Sequence, residues 1–340
     1  MKKITLGVSL FSFTGEYISG LFTLEDCIRT ASEIGAECFE MVGAQMLPTY
    51  PYVTEEFASE FKAMCDGYGI PMTSYGANMD RGMLPDRDLT EDEMLRACIN
   101  DLRTASKLGA SMMRVQYMTP PSVMKRLAPY AEAYGIHCGI EIHNPETPSS
   151  PTMQAYREVY DQIDAQYLGF VVDFGSFANG PNKPSIDRAL ANGASQEALD
   201  YAISSCYDKI PREEVREGLL KMGANAAALG AFEDMYAFLT FSREPDFAGL
   251  KAIVPYISYC HGKFHYISED LVEPAIPYPE ILKTLVDAGY SGIIVSENEG
   301  HHAGKTVEMT RRTPGDATEN SGCIVTIRCR TTEYFYSGLY

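Results

Sequence analysis

Four short apolar runs in this sequence each end in a side chain that can bind a metal ion. They supply Glu141, Asp173, His261 and Glu297. Three carboxylates and one imidazole suit a single divalent cation, because hard oxygen ligands disfavour a structural zinc site. We expect Mn²⁺, with Mg²⁺ as the alternative, since imidazole is a weaker partner for Mg²⁺.

Side chains two positions from these ligands extend the chemistry. In a strand, residues i and i+2 point to the same side, so His143 shares a side with Glu141 and Lys263 with His261. A histidine beside the metal that is not itself a ligand is placed to act as a general base at neutral pH. The alternative is that His143 only supports the ligands. Lys263 is a candidate to neutralise or hydrogen-bond a developing oxyanion.

Four further residues are candidates for binding substrate hydroxyl groups. Glu40 and Arg114 follow the same strand-end pattern, although each fits a scaffolding role in the sheet equally well. His265 shares a side with Lys263, and a hydrogen-bonded lining role is its alternative. His301 belongs to a pair of histidines beyond the last strand-like run, of which only one can easily face the site.

The elements that carry these residues alternate between strand-like and helix-like patterns. Strands are predicted near residues 4–12, 36–42, 71–76, 111–117, 137–143, 168–174, 258–266 and 292–296. Helical patterns separate them, and most of these end at a glycine. Eight βα steps predict a (β/α)8 TIM barrel rather than an open sheet. In such a barrel the catalytic groups lie at the carboxyl ends of the strands, where the four predicted ligands fall.

The rhythm is interrupted at two places. Residues 178–245 show helical spacing and no strand, which predicts a helical insertion after strand 6 on the active-site face. Residues 303–340 are rich in Thr and Arg and lack the 3.6-residue period of the expected last helix. We therefore predict a catalytic barrel domain over 1–302 and an atypical tail over 303–340.

Composition narrows the class of protein. The chain has 340 residues, 45% of them hydrophobic, which is enough for one large barrel. Its net charge of −18 argues against a nucleic-acid partner, because a phosphate-binding surface needs an excess of Lys and Arg. The apolar run 4–10 is interpreted as a buried strand rather than a signal peptide, and no stretch is long enough to span a membrane. Nine scattered cysteines indicate free thiols in a reducing cytoplasm.

The motifs resemble a known group of enzymes. These motifs are Glu-Ile-His-Asn-Pro at 141–145, Val-Asp-Phe-Gly at 172–175, His-Gly-Lys-Phe-His at 261–265 and Glu-Gly-His-His at 299–302. With the ordered ligand set, they resemble the xylose isomerase-like sugar phosphate isomerase/epimerase superfamily over about residues 1–302. Within this superfamily, the helical insertion over 178–245 and these motifs look most like those of the alpha (catalytic) subunit of bacterial C-glycoside deglycosidases.

The resemblance implies a substrate, a reaction and a partner. The substrate would be an aryl C-glycoside whose sugar has already been oxidised to the 3-keto form by a separate oxidoreductase. The metal would hold the C3 ketone and a neighbouring hydroxyl, and His143 would remove the proton from C2. The aromatic aglycone would then leave C1, which breaks a carbon–carbon bond. A small β-rich partner subunit is implied as well.

Other functions stay open at this point. A ketose or keto-inositol isomerase or epimerase that acts alone would begin with the same proton abstraction next to a carbonyl. A sugar-binding barrel without catalysis would need no metal. An endonuclease IV-like repair enzyme would need more histidine ligands and a basic face than a chain with six histidines and a charge of −18 offers.

Overall fold

The computed structural model describes residues 4–163, 166–268 and 272–300. Eight parallel strands close into a barrel in chain order, and β1 pairs with β8. The strands are β1 (Thr5–Ser9), β2 (Cys38–Val42), β3 (Met72–Gly76), β4 (Met112–Val115), β5 (His137–Ile142), β6 (Leu168–Asp173), β7 (Ile257–Phe264) and β8 (Ile293–Asn298). The predicted TIM barrel is confirmed.

α-Helices alternate with the strands along the described part of the chain. They are α1 (Thr14–Ile18), α2 (Leu24–Glu33), α3 (Gly43–Met46), α4 (Glu55–Tyr68), α5 (Glu91–Leu108), α6 (Pro121–Tyr134), α7 (Pro151–Gln162), α8 (Lys183–Ala191), α9 (Gln196–Tyr207), α10 (Arg212–Lys221), α11 (Ala226–Ala237), α12 (Phe247–Ile253) and α13 (Tyr278–Asp287). The short helices α1 and α3 have no counterpart in the sequence prediction, because a single turn is too short to show a 3.6-residue period.

Local sequence explains where the longer helices begin and end. The hydroxyls of Thr23 and Thr90 accept the backbone N–H groups of Asp26 and Glu93, whose carboxylates in turn accept the threonine N–H groups. These are capping boxes, which satisfy backbone donors at the start of α2 and α5. Gly109 ends α5 with a φ of 91°, a left-handed conformation that glycine adopts without steric cost.

The inside of the barrel contains an apolar layer directly below the polar residues of the site. Its members are buried and each lies two positions before a polar residue of the candidate site on the same strand: Met112, Val171, Tyr259 and Val295. Strand alternation therefore turns both sets inward, as in the stacked layers of TIM barrels. The packed layer supports the polar cluster from below.

The segment between β6 and β7 has a hydrophobic core of its own. Helices α8 to α11 occupy it, and Leu199, Val215, Leu219 and Phe232 are fully buried in a cluster separate from that of the barrel. This is the region where the sequence predicts a helical insertion. The predicted tail over 303–340 lies outside the described residues.

Two further expectations concern the chain as a whole. Within the described ranges, seven cysteines are free thiols and six of them are buried, which agrees with the expectation from their scattered positions. In the same ranges, no helix combines the length and the apolar character that crossing a membrane would require.

Candidate metal centre and active site

Three neighbouring strand pairs bring the four predicted metal ligands to the carboxyl end of the barrel. Glu141 is the fifth residue of β5, Asp173 ends β6, and His261 lies opposite Asp173 in the β6–β7 pairing. Glu297 lies within β8 rather than just beyond it, opposite Lys263 of β7. All five side chains are buried.

Distances show how close these groups are. Nδ1 of His261 lies 2.9 Å from Oε1 of Glu141 and 3.4 Å from Oε2 of Glu297. Oxygen atoms of Glu141, Asp173 and Glu297 all lie within 4.8 Å of one another. The structure thus brings together the four side chains, while their role as ligands stays a prediction.

Two carboxylate oxygens in this cluster indicate that the donor set fits a cation. Oε2 of Glu297 and Oδ2 of Asp173 are buried and receive no hydrogen bond of acceptable geometry, although Nζ of Lys263 lies 2.5 Å from Oδ2. Buried polar atoms without hydrogen bonds are uncommon and costly. Burial also raises the pKa of Asp173, which the charge of Lys263 offsets only in part. A divalent cation would satisfy both oxygens.

Opposite charges within the cluster keep its buried carboxylates and cations ionised. Burial alone would lower the pKa of His261 and of Lys263, but the surrounding carboxylates outweigh it and hold both values well above the usual range. Burial alone would raise the pKa of Glu141, and the charges of Arg114 and His261 hold it well below the usual range instead. The cluster is therefore an array of compensated buried ions.

His143 has its ring nitrogens fixed in different roles. It follows the last residue of β5, and Nδ1 lies 2.7 Å from the carbonyl oxygen of Asn144. Nε2 lies 3.0 Å from Nζ of Lys263 and 3.8 Å from Oδ2 of Asp173, so it faces the cluster. A carbonyl only accepts and an ammonium only donates, so these hydrogen bonds place the proton on Nδ1 and leave the lone pair on Nε2. The His143 side chain is 23% exposed, whereas Asp173 is fully buried.

Glu40 lies deeper in the barrel than a substrate-binding role requires. It is 1% exposed, and its oxygens accept hydrogen bonds from the hydroxyls of Ser9 and Tyr259. Its Oε2 also lies 3.1 Å from Nε2 of His261, on the opposite side of the ring from Glu141. These contacts favour positioning of His261 over contact with a substrate. The sequence prediction did not include Tyr259, although its spacing of two from His261 signals the same inward side.

The other predicted substrate-binding residues have different surroundings. Nη1 of Arg114 lies 3.7 Å from Oε2 of Glu141, so its positive charge compensates the carboxylates. His265 lines the pocket in front of the cluster, and burial lowers its pKa to about 4. Glu299 lines the same pocket, and its Oε1 lies 3.0 Å from Nζ of Lys263. His301 lies outside the described residues.

A pocket opens in front of His143 and Lys263. It contains about 440 Å³ of space, part of it open to solvent, and residues from the segment between β6 and β7 form one of its walls. The cluster is therefore accessible from the carboxyl face of the barrel.

Comparison with known proteins places this fold in a family. The family described as Xylose isomerase-like TIM barrel matches residues 28–319. A D-psicose 3-epimerase from Clostridium cellulolyticum H10 aligns with a TM-score of 0.55 over 98% of this chain and 99% of its own, at 13% identity. A D-allulose 3-epimerase from Methylomonas sp. aligns with a TM-score of 0.54 over 97% and 99%, at 16% identity. At such identities the likeness shows the fold alone.

The chain belongs to the xylose isomerase-like TIM barrel family. Two curated proteins are more similar in sequence. The 3'-dehydrocarminate deglycosidase alpha subunit of Microbacterium sp. is 33% identical over 313 residues, covering 87% of this chain and 88% of the relative. A C-glycoside deglycosidase alpha subunit of Arthrobacter globiformis is 34% identical over 304 residues, covering 88% and 85%. The predicted resemblance to these alpha subunits is confirmed.

Proposed function

We propose that this chain is the catalytic subunit of a metal-dependent C-glycoside deglycosidase that acts on 3-keto aryl C-glycosides. The observation that carries the proposal is the position of Nε2 of His143, which faces a buried cluster of three carboxylates and lies 3.8 Å from Oδ2 of Asp173. A base at the edge of a candidate cation site suits removal of a proton next to a carbonyl group. The similarity to deglycosidase alpha subunits supports the choice of substrate.

The side chains that would hold the cation are Glu141, Asp173, His261 and Glu297. We propose Mn²⁺, with Mg²⁺ as the alternative, because the set is dominated by oxygen donors. When bound, the cation supplies Lewis acidity that polarises the C3 ketone and so acidifies the hydrogen on C2.

The residues of the chain then account for the proton transfer and for charge stabilisation. Nε2 of His143 takes the proton from C2, while the carbonyl of Asn144 holds the proton on Nδ1 and stabilises the imidazolium that forms. The substrate would displace Lys263 from Nε2, and the freed ammonium would donate to the oxygen at C3 as negative charge develops there. Glu299 lies 3.0 Å from Nζ of Lys263 and limits how far the ammonium can move.

The bond changes balance without an oxidant or reductant. The electron pair of the C2–H bond becomes the second bond between C1 and C2. The bond between C1 and the aryl carbon breaks, and its electron pair leaves with that carbon, which takes up one proton. The products are the free aglycone and an unsaturated keto sugar. Oxidation of the C3 hydroxyl must therefore precede this step.

The proposal includes a partner. Two relatives are named as alpha subunits, which supports assembly with at least one other subunit. We propose a small β-rich chain for this partner.

Release of free aglycone is the measurement that tests the proposed function. The purified chain with its partner and Mn²⁺ is mixed with a 3-keto aryl C-glucoside, and the aglycone is quantified. We expect release that stops when a chelator removes the metal. Exchange of the C2 hydrogen with deuterated solvent without release would overturn the proposal in favour of an isomerase or epimerase. Absence of exchange, release and bound metal together would favour a sugar-binding barrel.

A further inference from the structure

The lining of the pocket in front of the cluster combines ionisable and apolar side chains. His143, Lys263 and His265 supply ionisable groups. Phe238 and Leu239, from the end of the segment between β6 and β7, supply apolar surface and are called the apolar wall. Such a wall suits a sugar joined to an aromatic ring better than a free sugar, because the ring offers a large flat apolar face and a free sugar offers only small patches of C–H groups.

Phe238 is conspicuous for its exposure. The residue is 64% exposed, and every other phenylalanine in the described ranges is buried or half-buried. A single exposed apolar residue needs no explanation by itself. Its place in the lining of the pocket that also contains the candidate base is what makes it informative, because an aromatic ring that covers Phe238 would belong to a ligand in that pocket.

A network of hydrogen bonds fixes this wall to the barrel. The side-chain amide of Asn144 donates to the carbonyls of Gly175 and Thr240, at 3.2 Å and 2.7 Å, and its oxygen accepts from the hydroxyl of Thr240 at 2.5 Å. Asn144 adjoins His143, and Thr240 is two positions from Phe238. The candidate base and the apolar wall are thus positioned by the same residue.

We propose that Phe238 and Leu239 form the subsite for the planar aglycone, so that the insertion rather than the barrel determines which aglycones are accepted. The inference rests on the proposed function, since it takes an aryl glycoside as the ligand. Contact of the aglycone with Phe238 would bury a flat apolar surface that is otherwise exposed.

Binding of an unreactive ligand tests the subsite separately from turnover. An aryl C-glucoside with an intact C3 hydroxyl lacks the ketone, so its dissociation constant is measured by calorimetry on the full chain. We expect Phe238→Ala to weaken its binding about tenfold, and Phe238→Tyr to restore most of the loss. Binding of methyl glucoside, which has no aryl group, should not change. Met83→Ala, which alters an exposed residue of a different βα loop, is the matched control and should change neither.

Several outcomes would overturn the inference. Unchanged binding of the aryl ligand in Phe238→Ala would do so, as would equal weakening for both ligands, which would indicate a general disturbance of the pocket. Loss of the partner subunit from Phe238→Ala with unchanged ligand binding would assign the ring to the subunit interface instead. If the wild type releases aglycone but its KM does not depend on Phe238, the subsite fails and the proposed function stands. If Phe238 governs binding of the aryl ligand but no aglycone is ever released, the subsite stands and the proposed function fails.

Discussion

At the scale of single residues, the distinction between a base and a ligand comes from hydrogen bonds that the backbone imposes. The carbonyl of Asn144 requires a proton on Nδ1 of His143 and leaves Nε2 as an acceptor beside Lys263. His261 has its two ring nitrogens between Glu40 and Glu141. Two histidines of the same cluster thus have different surroundings, which favours different roles.

Replacement of His143 separates catalysis from metal binding. We expect His143→Ala to reduce turnover about a hundredfold to ten-thousandfold, the range for loss of a general base, with metal content near that of the wild type. Glu297→Ala should instead lose the bound metal, as measured by elemental analysis of the purified protein.

The control for this comparison is His137→Ala, which alters an exposed histidine at the opposite end of the same strand. It should retain both turnover and metal. Loss of metal from His143→Ala would identify His143 as a ligand and contradict its assignment as the base.

Replacement of Glu40 tests whether it positions His261. We expect Glu40→Gln to weaken Mn²⁺ binding roughly tenfold to a hundredfold, the range for loss of a carboxylate that orients a ligating histidine. Titration of the metal-free protein measures this without any assay of turnover. Ser9→Ala, which removes a hydrogen bond to Oε1 of Glu40 only, should have a much smaller effect. Unchanged metal affinity with weakened substrate binding would instead support a role for Glu40 in binding substrate hydroxyl groups.

At the scale of elements, hydrogen bonds beside the site join the helical insertion to the barrel. Asn144 links the end of β5 to Gly175 at the beginning of the β6–β7 connection and to Thr240 near its end. The backbone N–H of Ser242 also donates to the carbonyl of Ala178 at 3.0 Å, which closes the base of the segment. The helices between these points can pack as a unit because the cluster around Phe232 is separate from the barrel core.

Replacement of Asn144 should affect stability and substrate binding together. Asn144→Ala removes the side-chain donor to the half-buried carbonyl of Thr240 and one of the two donors to the carbonyl of Gly175, so we expect a loss of about 1–3 kcal/mol in the free energy of unfolding. The KM for an aryl substrate should rise as well, because the wall formed by Phe238 is no longer fixed. Denaturant unfolding and steady-state kinetics measure the two effects.

Asn225→Ala is the matched control for the insertion, because Asn225 caps the N-terminus of α11 through the N–H of Ala228. It should lose about 0.5–2 kcal/mol with little change in KM. An equal rise in KM for both variants would show that any loosening of the insertion affects binding, so that Asn144 has no special role.

At the scale of the whole molecule, buried ionisable groups lie outside the site as well as within it. Asp101 of α5 is fully buried, and its carboxylate accepts hydrogen bonds from the hydroxyls of Tyr50 and Tyr75 at 3.1 Å and 3.0 Å. Burial raises its pKa to about 6 from the ordinary value of 3.8, although the two hydroxyls act in the opposite direction. The folded state therefore holds this proton more tightly than the unfolded chain does.

The raised pKa gives a stability that depends on pH with a definite sign. The contribution of the protonated form is fully present below about pH 4 and is lost as the pH rises through about 6. Between about pH 8 and pH 5, the wild type should gain about 1.4 kcal/mol of unfolding free energy relative to Asp101→Asn, which cannot titrate. Urea unfolding of both proteins at each pH measures the difference. A difference that does not vary with pH would contradict the assignment.

Much of the fold follows from local pattern. The predicted strands fall within a few residues of those observed, because runs of apolar residues between glycine-terminated helices identify βα units without any contact information. Alternation within strands also places His261 and Lys263 on one inward side. The short helices α1 and α3 are not predicted from the sequence, because they contain too few residues to show the 3.6-residue helical period.

The sequence by itself determined the barrel, the candidate ligand set and the side of each strand that faces inward, since these follow from the order of the βα units and from alternation within each strand. Only the tertiary structure decided which inward groups meet. Glu40 and His261 are 221 positions apart, and Lys263 and His143 are 120 apart. Closure of the barrel sets these distances through the stagger between strands, which no local spacing encodes. For the same reason, the presence of Phe238 and His143 in one pocket emerged only from the folded chain.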